Sequence, residues 1–200
     1  DLAQVRRGER VASDEYTKED VRDFVLWKGV KPGEPAWDSP WGPGRPGWHT
    51  ECVAMSLNLL GDRFDLHGGG QDLAFPHHEN ERAQAVAEGK RFANLWFHHG
   101  MVEIDGEKMS KSLGNVENLL DLMDAYDPRA FRLLVLRAHY RSPIDVSDDS
   151  MRDAEAAVAK LDSFARRFAS RVDGAEPDPS TIDRFRQAMD DDLKTPAAVA

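Results

Sequence analysis

Between Trp48 and Gly61 the apolar positions recur at helical spacing, with Val53, Leu57 and Leu60 on one stripe and a glycine at the end, which predicts a helix capped by Gly61. From Phe64 the rhythm changes to alternation. It ends in Gly68-Gly69-Gly70 and gives way at Pro76 to a polar segment, Pro76-His77-His78-Glu79-Asn80-Glu81, that continues to Ala87. This predicts a strand, a glycine turn and a helix from about Phe75, with the glycines supplying positive φ and Pro76 opening the helix. Leu95 to Ile104 alternates again, as a second strand, and Asp105-Gly106 follows as a tight turn. A helix lying between two strands predicts a β-α-β crossover, hence a parallel sheet that binds ligands at the carboxyl ends of its strands.

Beyond Asp127-Pro128 the pattern is helical. Phe131, Leu133, Leu134, Val135, Leu136 and Ala138 predict a buried helix. Asp148 to Ser170 predicts a long amphipathic one, whose Ala154, Ala157, Val158, Leu161, Phe164, Ala165 and Phe168 are expected in a core. A further helix is expected over 181–191. The fold class is therefore α/β followed by the start of an α-helical bundle: residues 1–22 as an insertion or connective segment, 23–147 as the α/β part and 148–200 as helical. The loop from Lys31 to Gly47 holds five prolines and four glycines, and its Trp37 and Trp41 are expected to pack their rings.

Two stretches carry candidate chemistry. His77 and Glu81 stand four apart and share a helix face, and Cys52 falls in the first turn of the preceding helix, whose N-terminus favours a thiolate. Zinc accepts thiolate, imidazole and carboxylate, but a solvated helix face and a small buried cysteine account for the same residues by themselves. The loop Gly106-Glu107-Lys108-Met109-Ser110-Lys111-Ser112-Leu113-Gly114-Asn115 sets two lysines and two serines just past a strand. Such a loop can wrap phosphates and offset the charge of a leaving pyrophosphate.

Composition narrows the picture. The chain has 200 residues, enough for one medium domain or one and part of another, and is 40% hydrophobic. Its 36 acidic and 26 basic residues leave a net charge of -10, which disfavours a general nucleic-acid coat while leaving room for a local basic patch. A single cysteine excludes an internal disulfide framework and favours a reducing compartment. With no apolar run of the ~20 residues needed to span a bilayer and no signal-peptide pattern, a cytoplasmic location without membrane partner is expected. Asp1 at the start and a helix-like Thr195 to Ala200 at the end give the expectation of a piece of something longer.

Taken together, Ser39-Pro40-Trp41-Gly42-Pro43-Gly44-Arg45-Pro46-Gly47-Trp48-His49, Glu51-Cys52, His67-Gly68-Gly69-Gly70, Pro76-His77-His78-Glu79-Asn80-Glu81 and Lys108-Met109-Ser110-Lys111-Ser112 resemble the cysteinyl-tRNA synthetases. These are class I enzymes with a Rossmann-type catalytic domain, so the resemblance implies its second half over residues 23–147. The last string looks like the KMSKS signature of that class. The resemblance implies cysteine and ATP, with magnesium, as substrates and the tRNA for cysteine as partner. It also implies one zinc ion held by Cys52, His77 and Glu81, with a fourth ligand outside these 200 residues.

Trp48, His49 and Asp72 correspond to residues that receive the amino acid, with His49 and His67 orienting groups near the metal. His67, Gly68, Gly69, Gly70, Met109 and Lys111 correspond to the nucleotide side, and Lys108 and Lys111 to the residues that stabilise the triphosphate in the transition state. The family's HIGH-type motif does not appear in these residues, so the chain alone is expected not to activate cysteine. Two alternatives accompany this reading: the cysteine ligase of mycothiol synthesis, and a non-catalytic metal- or tRNA-binding module derived from a synthetase.

Overall fold

The computed structural model describes residues 23–104, 107–109, 119–172 and 174–200. The chain divides into two compact units, Asp1–Phe97 and His98–Ala200.

In the first unit, β1 (Trp27–Gly29) pairs antiparallel with β2 (Gly44–Pro46), and α1 (Trp48–Leu60) follows at once. Gly47 makes that sharp entry possible. A Cβ there would overlap the Val25 carbonyl, while its N–H donates to the Leu26 carbonyl at 2.8 Å. Helix α1 ends where expected: Gly61 takes φ 86° and its N–H returns to the Leu57 carbonyl. Next come β3 (Arg63–Gly70), a 3₁₀ turn (Gln71–Leu73), a wide turn (Ala74–His78), α2 (Glu79–Ala87) and β4 (Phe92–His99).

Strands β3 and β4 are neighbours, and their contacts advance together along both chains, from Arg63 with Asn94 to Gly68 against Phe97. That is the sense of a parallel pair, with α2 as the crossover. Val53, Phe64, Ala85 and Phe92 form the core between helices and strands, joined by Leu57, Ala93 and Trp96.

Several expectations need correction here. The glycines do not form a left-handed turn: Gly68 to Gly70 complete β3, and Gly70 has φ -61° and ψ 151°. Their value is space, since a Cβ on Gly69 would stand 3.0 to 3.2 Å from Leu73 and His78. Nor does the helix run from Phe75. That residue is extended (φ -140°, ψ 135°), the conformation a following proline favours, and the Phe75–Pro76 peptide is cis. Trp37 and Trp41 stay 58% and 79% exposed: Trp37 is held by its backbone bridge to Gly44, and Trp41 lies on the turn closed by Ser39 and Gly42 with its ring 6.4 Å from that of Trp27.

In the second unit the long strand expected from Leu95 is broken at Gly100, leaving β5 (Val102–Ile104) separate from β4. Gly100 is buried against the Ser142 carbonyl, which turns the chain. β5 pairs antiparallel with β6 (Glu107–Lys108), Ile104 opposite Glu107, and parallel with β7 (Ile144–Asp145), Val102 opposite Ile144. Between them lie α3 (Leu119–Ala125) and α4 (Pro128–Arg137), the latter capped by Asp127 with proline next to it.

α5 (Asp148–Val172), α6 (Pro179–Asp190) and the short α7 (Thr195–Ala198) complete the unit. Leu122, Ala130, Val146, Met151, Ala154 and Val158 are its core. Two stripes are less buried than their periodicity implies. Val135 and Leu136 of α4 are 45% and 40% exposed, and Leu161 and Phe164 of α5 are 59% and 63% exposed, because burial on α5 is concentrated in its first three turns. The architecture is mixed α/β with parallel strands; among the described residues the strands form small sheets of two or three.

Candidate metal centre

The entry into α1 at Gly47 sets Trp48, His49 and Cys52 on the first turns of that helix; His77 and His78, from the end of the wide turn, and Glu81, from the first turn of α2, face them. One ligand atom from each of Cys52, His77 and Glu81 lies within 4.8 Å of the others. Glu81 is the pivot. It is fully buried, with Oε1 3.0 Å from His77 Nε2 and Oε2 2.8 Å from His67 Nε2, yet neither carboxylate oxygen makes a well-aligned hydrogen bond. A buried carboxylate with lone pairs still unsatisfied is costly unless a cation completes it. Beside a thiol and an imidazole, this donor set fits zinc.

The electrostatics agree. Burial raises the Glu81 carboxyl, but the His77 imidazole beside it and the charges of His77, His67 and His78 outweigh that and hold it below the usual carboxylate range. Cys52 departs from expectation. Burial, reinforced by Glu81 and Glu51, pushes its thiol up to about 11. The helix N-terminus fails to offset this because Cys52 sits beyond the end of the first turn, where the dipole has weakened. Without a cation the site thus holds a protonated thiol, and metal binding there is coupled to loss of that proton.

Around the donors lies an aromatic frame. His49 Nδ1 is 2.7 Å from His77 Nδ1, so one ring donates and the other accepts. The Trp48 ring, 55% exposed, lies 4.1 Å from His77 and 5.5 Å from His49 between centroids, a lid open on one side. Asp72 stands half-buried in the 3₁₀ turn directly after Gly70.

Periodicity alone assigns His78 no role, although its place three residues before Glu81 puts both on one helix face. It is 4% exposed, its ring sits 4.7 Å from His67 and 5.3 Å from Trp96, and His67, His78 and Glu81 offer a second set of ligand atoms within 4.8 Å. Only the first set contains sulfur. Lys108 and Met109 lie in the second unit, at and just after β6, where Met109 N–H donates to the Val102 carbonyl at 3.2 Å. Lys111 lies outside the described residues, with the rest of its motif.

Comparison with known proteins decides the family. The description "tRNA synthetases class I (C) catalytic domain" matches residues 1–156. The chain belongs to that family.

Over 200 aligned residues it is 54% identical to the cysteine–tRNA ligase of Pseudomonas putida (strain W619), and over 201 residues 52% identical to that of Methylobacillus flagellatus. In each case the whole chain is covered, against 43% and 44% of the relative, so the chain spans less than half the length of these curated relatives. Among solved structures, methionyl-tRNA synthetase of Mycobacterium tuberculosis in complex with methionyl-adenylate is 25% identical at a TM-score of 0.53, covering 68% of this chain and 31% of that one. A ternary LeuRS–tRNA–LeuAMS complex from Agrobacterium radiobacter K84 shares the fold at a TM-score of 0.61 and 16% identity, over 82% of this chain and 28% of that one. No described helix is long and apolar enough to cross a membrane.

Proposed function

We propose that the protein containing this chain joins L-cysteine to its tRNA, forming cysteinyl-adenylate from ATP and then transferring the cysteinyl group. The observation that carries this reading is the convergence of Cys52, His77 and Glu81 beneath Trp48. These three would hold a zinc ion, which when bound supplies a soft Lewis acid that prefers the thiolate of cysteine to the hydroxyl of serine. A pocket shaped only for size would discriminate poorly between two side chains so alike. Trp48 would cover the amino acid, His49 and His67 would hold His77 and Glu81 in place, and Asp72 would receive the amino group.

Gly68, Gly69 and Gly70 bring bare backbone to the carboxyl end of β3, beside His67, and the adenylate would lie against it, as ligands do at strand ends in this fold class. Lys108 and Lys111, with Met109, would face the triphosphate and offset the charge that develops on pyrophosphate. The strand-bearing part up to about residue 147 would be the second half of the Rossmann-type catalytic domain, residues 1–22 a connective segment, and 148–200 the start of a helical bundle. Such chemistry belongs in the cytoplasm with the rest of translation. The relatives named above are cysteine–tRNA ligases, which favours this reading over an amino-sugar ligase.

The test uses the intact gene product. Cysteine-dependent ATP–pyrophosphate exchange and charging of the cysteine tRNA are both expected, with zinc bound in the protein. Cys52→Ser should lower the zinc content and cut the preference for cysteine over serine by at least about tenfold, the usual scale for disturbing a metal site. Robust exchange with no dependence on Cys52, His77 or Glu81 would overturn the assignment.

A further inference from the structure

Helices α1 and α2 are tied at a place separate from the metal donors. Thr50 Oγ1 donates to Gln84 Oε1 at 2.8 Å, and Gln84 Nε2 donates in turn to the Asn80 carbonyl at 3.3 Å. Thr50 stands two residues before Cys52, and Gln84 follows Glu81 by three on the same helix face. The orientation of the amide is fixed by its neighbour, because turned over it would set its oxygen against the Asn80 carbonyl oxygen. A threonine hydroxyl on a helix commonly bonds a carbonyl one turn back. This one crosses to the next helix, with the Leu26 carbonyl as a longer contact at 3.4 Å.

Around α1 the buried Val53 lies between Thr50 and Cys52, so the helix is gripped on one flank of its packing line and presents its thiol on the other. A tie on that flank sets the rotation of α1 about its own axis. A side-chain atom lies about 5 to 6 Å from a helix axis, so a rotation of about 10° carries Cys52 Sγ roughly 1 Å, several times the ~0.2 Å that metal–ligand distances tolerate. Small rotations therefore decide whether sulfur, nitrogen and oxygen can share one ion.

We propose that Thr50 and Gln84 are positioning residues for the metal centre: their cross-helix hydrogen bond fixes the rotation of α1 against α2 and holds the Cys52 thiol in register with His77 and Glu81. The inference rests on the zinc site proposed above and deepens it. Neither side chain is a donor to the ion, and each acts through the helix that bears one.

The experiment compares the intact gene product with Thr50→Val, which keeps the branched shape and removes the donor, with Gln84→Leu, with the double variant and with Thr50→Ser. Zinc affinity is read by competition with a chromophoric chelator. The visible spectrum of the cobalt(II)-substituted protein reports thiolate ligation, and urea midpoints of the zinc-free proteins report stability. Thr50→Val and Gln84→Leu should each weaken zinc about three- to tenfold, the worth of one neutral hydrogen bond, and lower the thiolate-to-cobalt charge-transfer band. The double variant should bind no more weakly than the poorer single one, because both remove the same bond. Thr50→Ser should restore affinity and spectrum.

Parent-like zinc affinity and cobalt spectrum in the Val and Leu variants would overturn the inference, even where their urea midpoints fall, since the bond would then hold the fold and not the thiol. Losses that multiply in the double variant would also overturn it, because the two residues would then act separately. So would a Thr50→Ser variant as weak as Thr50→Val. Each of these results leaves the proposed function standing. An unsubstituted protein that binds no zinc removes the zinc site and this inference together, and that one measurement tells the two failures apart.

Discussion

At the scale of single residues, the centre depends on which glycine sits where. Gly68 and Gly69 are adjacent on β3, but an added Cβ meets different surroundings: the Phe97 carbonyl at an ordinary 3.5 Å for Gly68, the tip of Leu73 at 3.0 Å and the His78 ring at 3.1 Å for Gly69. Leu73 can swing aside. His78 cannot, because its ring is buried between His67 and Trp96. Gly69→Ala should therefore destabilise the fold by about 1 to 3 kcal/mol, the range for overpacking. Gly68→Ala, whose backbone needs no left-handed conformation, should be neutral or stabilising by up to about 1 kcal/mol through the unfolded state. Urea midpoints of the two variants check this, and a Gly68 variant less stable than the Gly69 variant would refute it. The pair also shows what a sequence hides: three glycines in a row announce a special backbone, but whether the reason is a left-handed turn or close approach depends on what packs above them.

At the scale of elements, the turn between α6 and α7 is held against the chain that follows α4. Asp192 and Leu193 both adopt left-handed φ, 53° and 54°, which residues with a Cβ avoid unless their surroundings enforce it. The Asp192 carboxylate accepts from Arg141 Nε at 2.7 Å and from Tyr140 Oη at 2.6 Å. Arg141 first, then Tyr140, hold that carboxyl well below the usual range. A group whose pKa is lower folded than unfolded stabilises the fold above its unfolded value, about 3.9, and loses that contribution as pH falls through the folded value. Asp127, Asp162 and Asp178 are lowered in the same direction by hydrogen bonds, so all four act in the same acid window. The urea midpoint of the protein should thus fall between about pH 4 and pH 2, and Asp192→Asn should show a lower midpoint at pH 7 with a shallower fall in acid. Salt should shrink the difference, since these groups are exposed. An Asn variant with the same midpoint and acid slope as the parent would remove Asp192 from the account.

Elements were legible in proportion to how local their causes are. Gly61 marks the end of α1 and Asp127-Pro128 the start of α4 from cap chemistry alone, and both stand where the sequence places them. The break at Gly100 depends on a partner distant in the chain, Ser142, which alternation does not reveal, whereas the extended Phe75 is the conformation that the following Pro76 favours. His77 and Glu81 were readable as a pair because helical spacing is local; His67, from a strand, joins Glu81 only in three dimensions.

At the scale of the whole molecule, the chain holds two compact units with separate cores and, among the described residues, two candidate ligand sets that share Glu81, both within the first unit. The set with Cys52 offers sulfur, nitrogen and oxygen from three side chains, while Lys108 stands on β6 in the second unit. Activation of an amino acid needs more than these parts. The α-phosphate must be presented in line to the carboxylate, which requires groups on both sides of the nucleotide held to within a fraction of an ångström. The 200 residues amount to 43% of the length of the Pseudomonas putida relative and include no HIGH-type motif. The 200-residue chain purified by itself is therefore expected to give no cysteine-dependent ATP–pyrophosphate exchange above background, while still binding zinc more weakly than the intact gene product. Exchange assays with and without cysteine, paired with zinc titration against a chelator, separate the two expectations. Exchange by the isolated chain would mean that these residues already form both walls of the active site, and would require a second nucleotide-facing surface within the two units described.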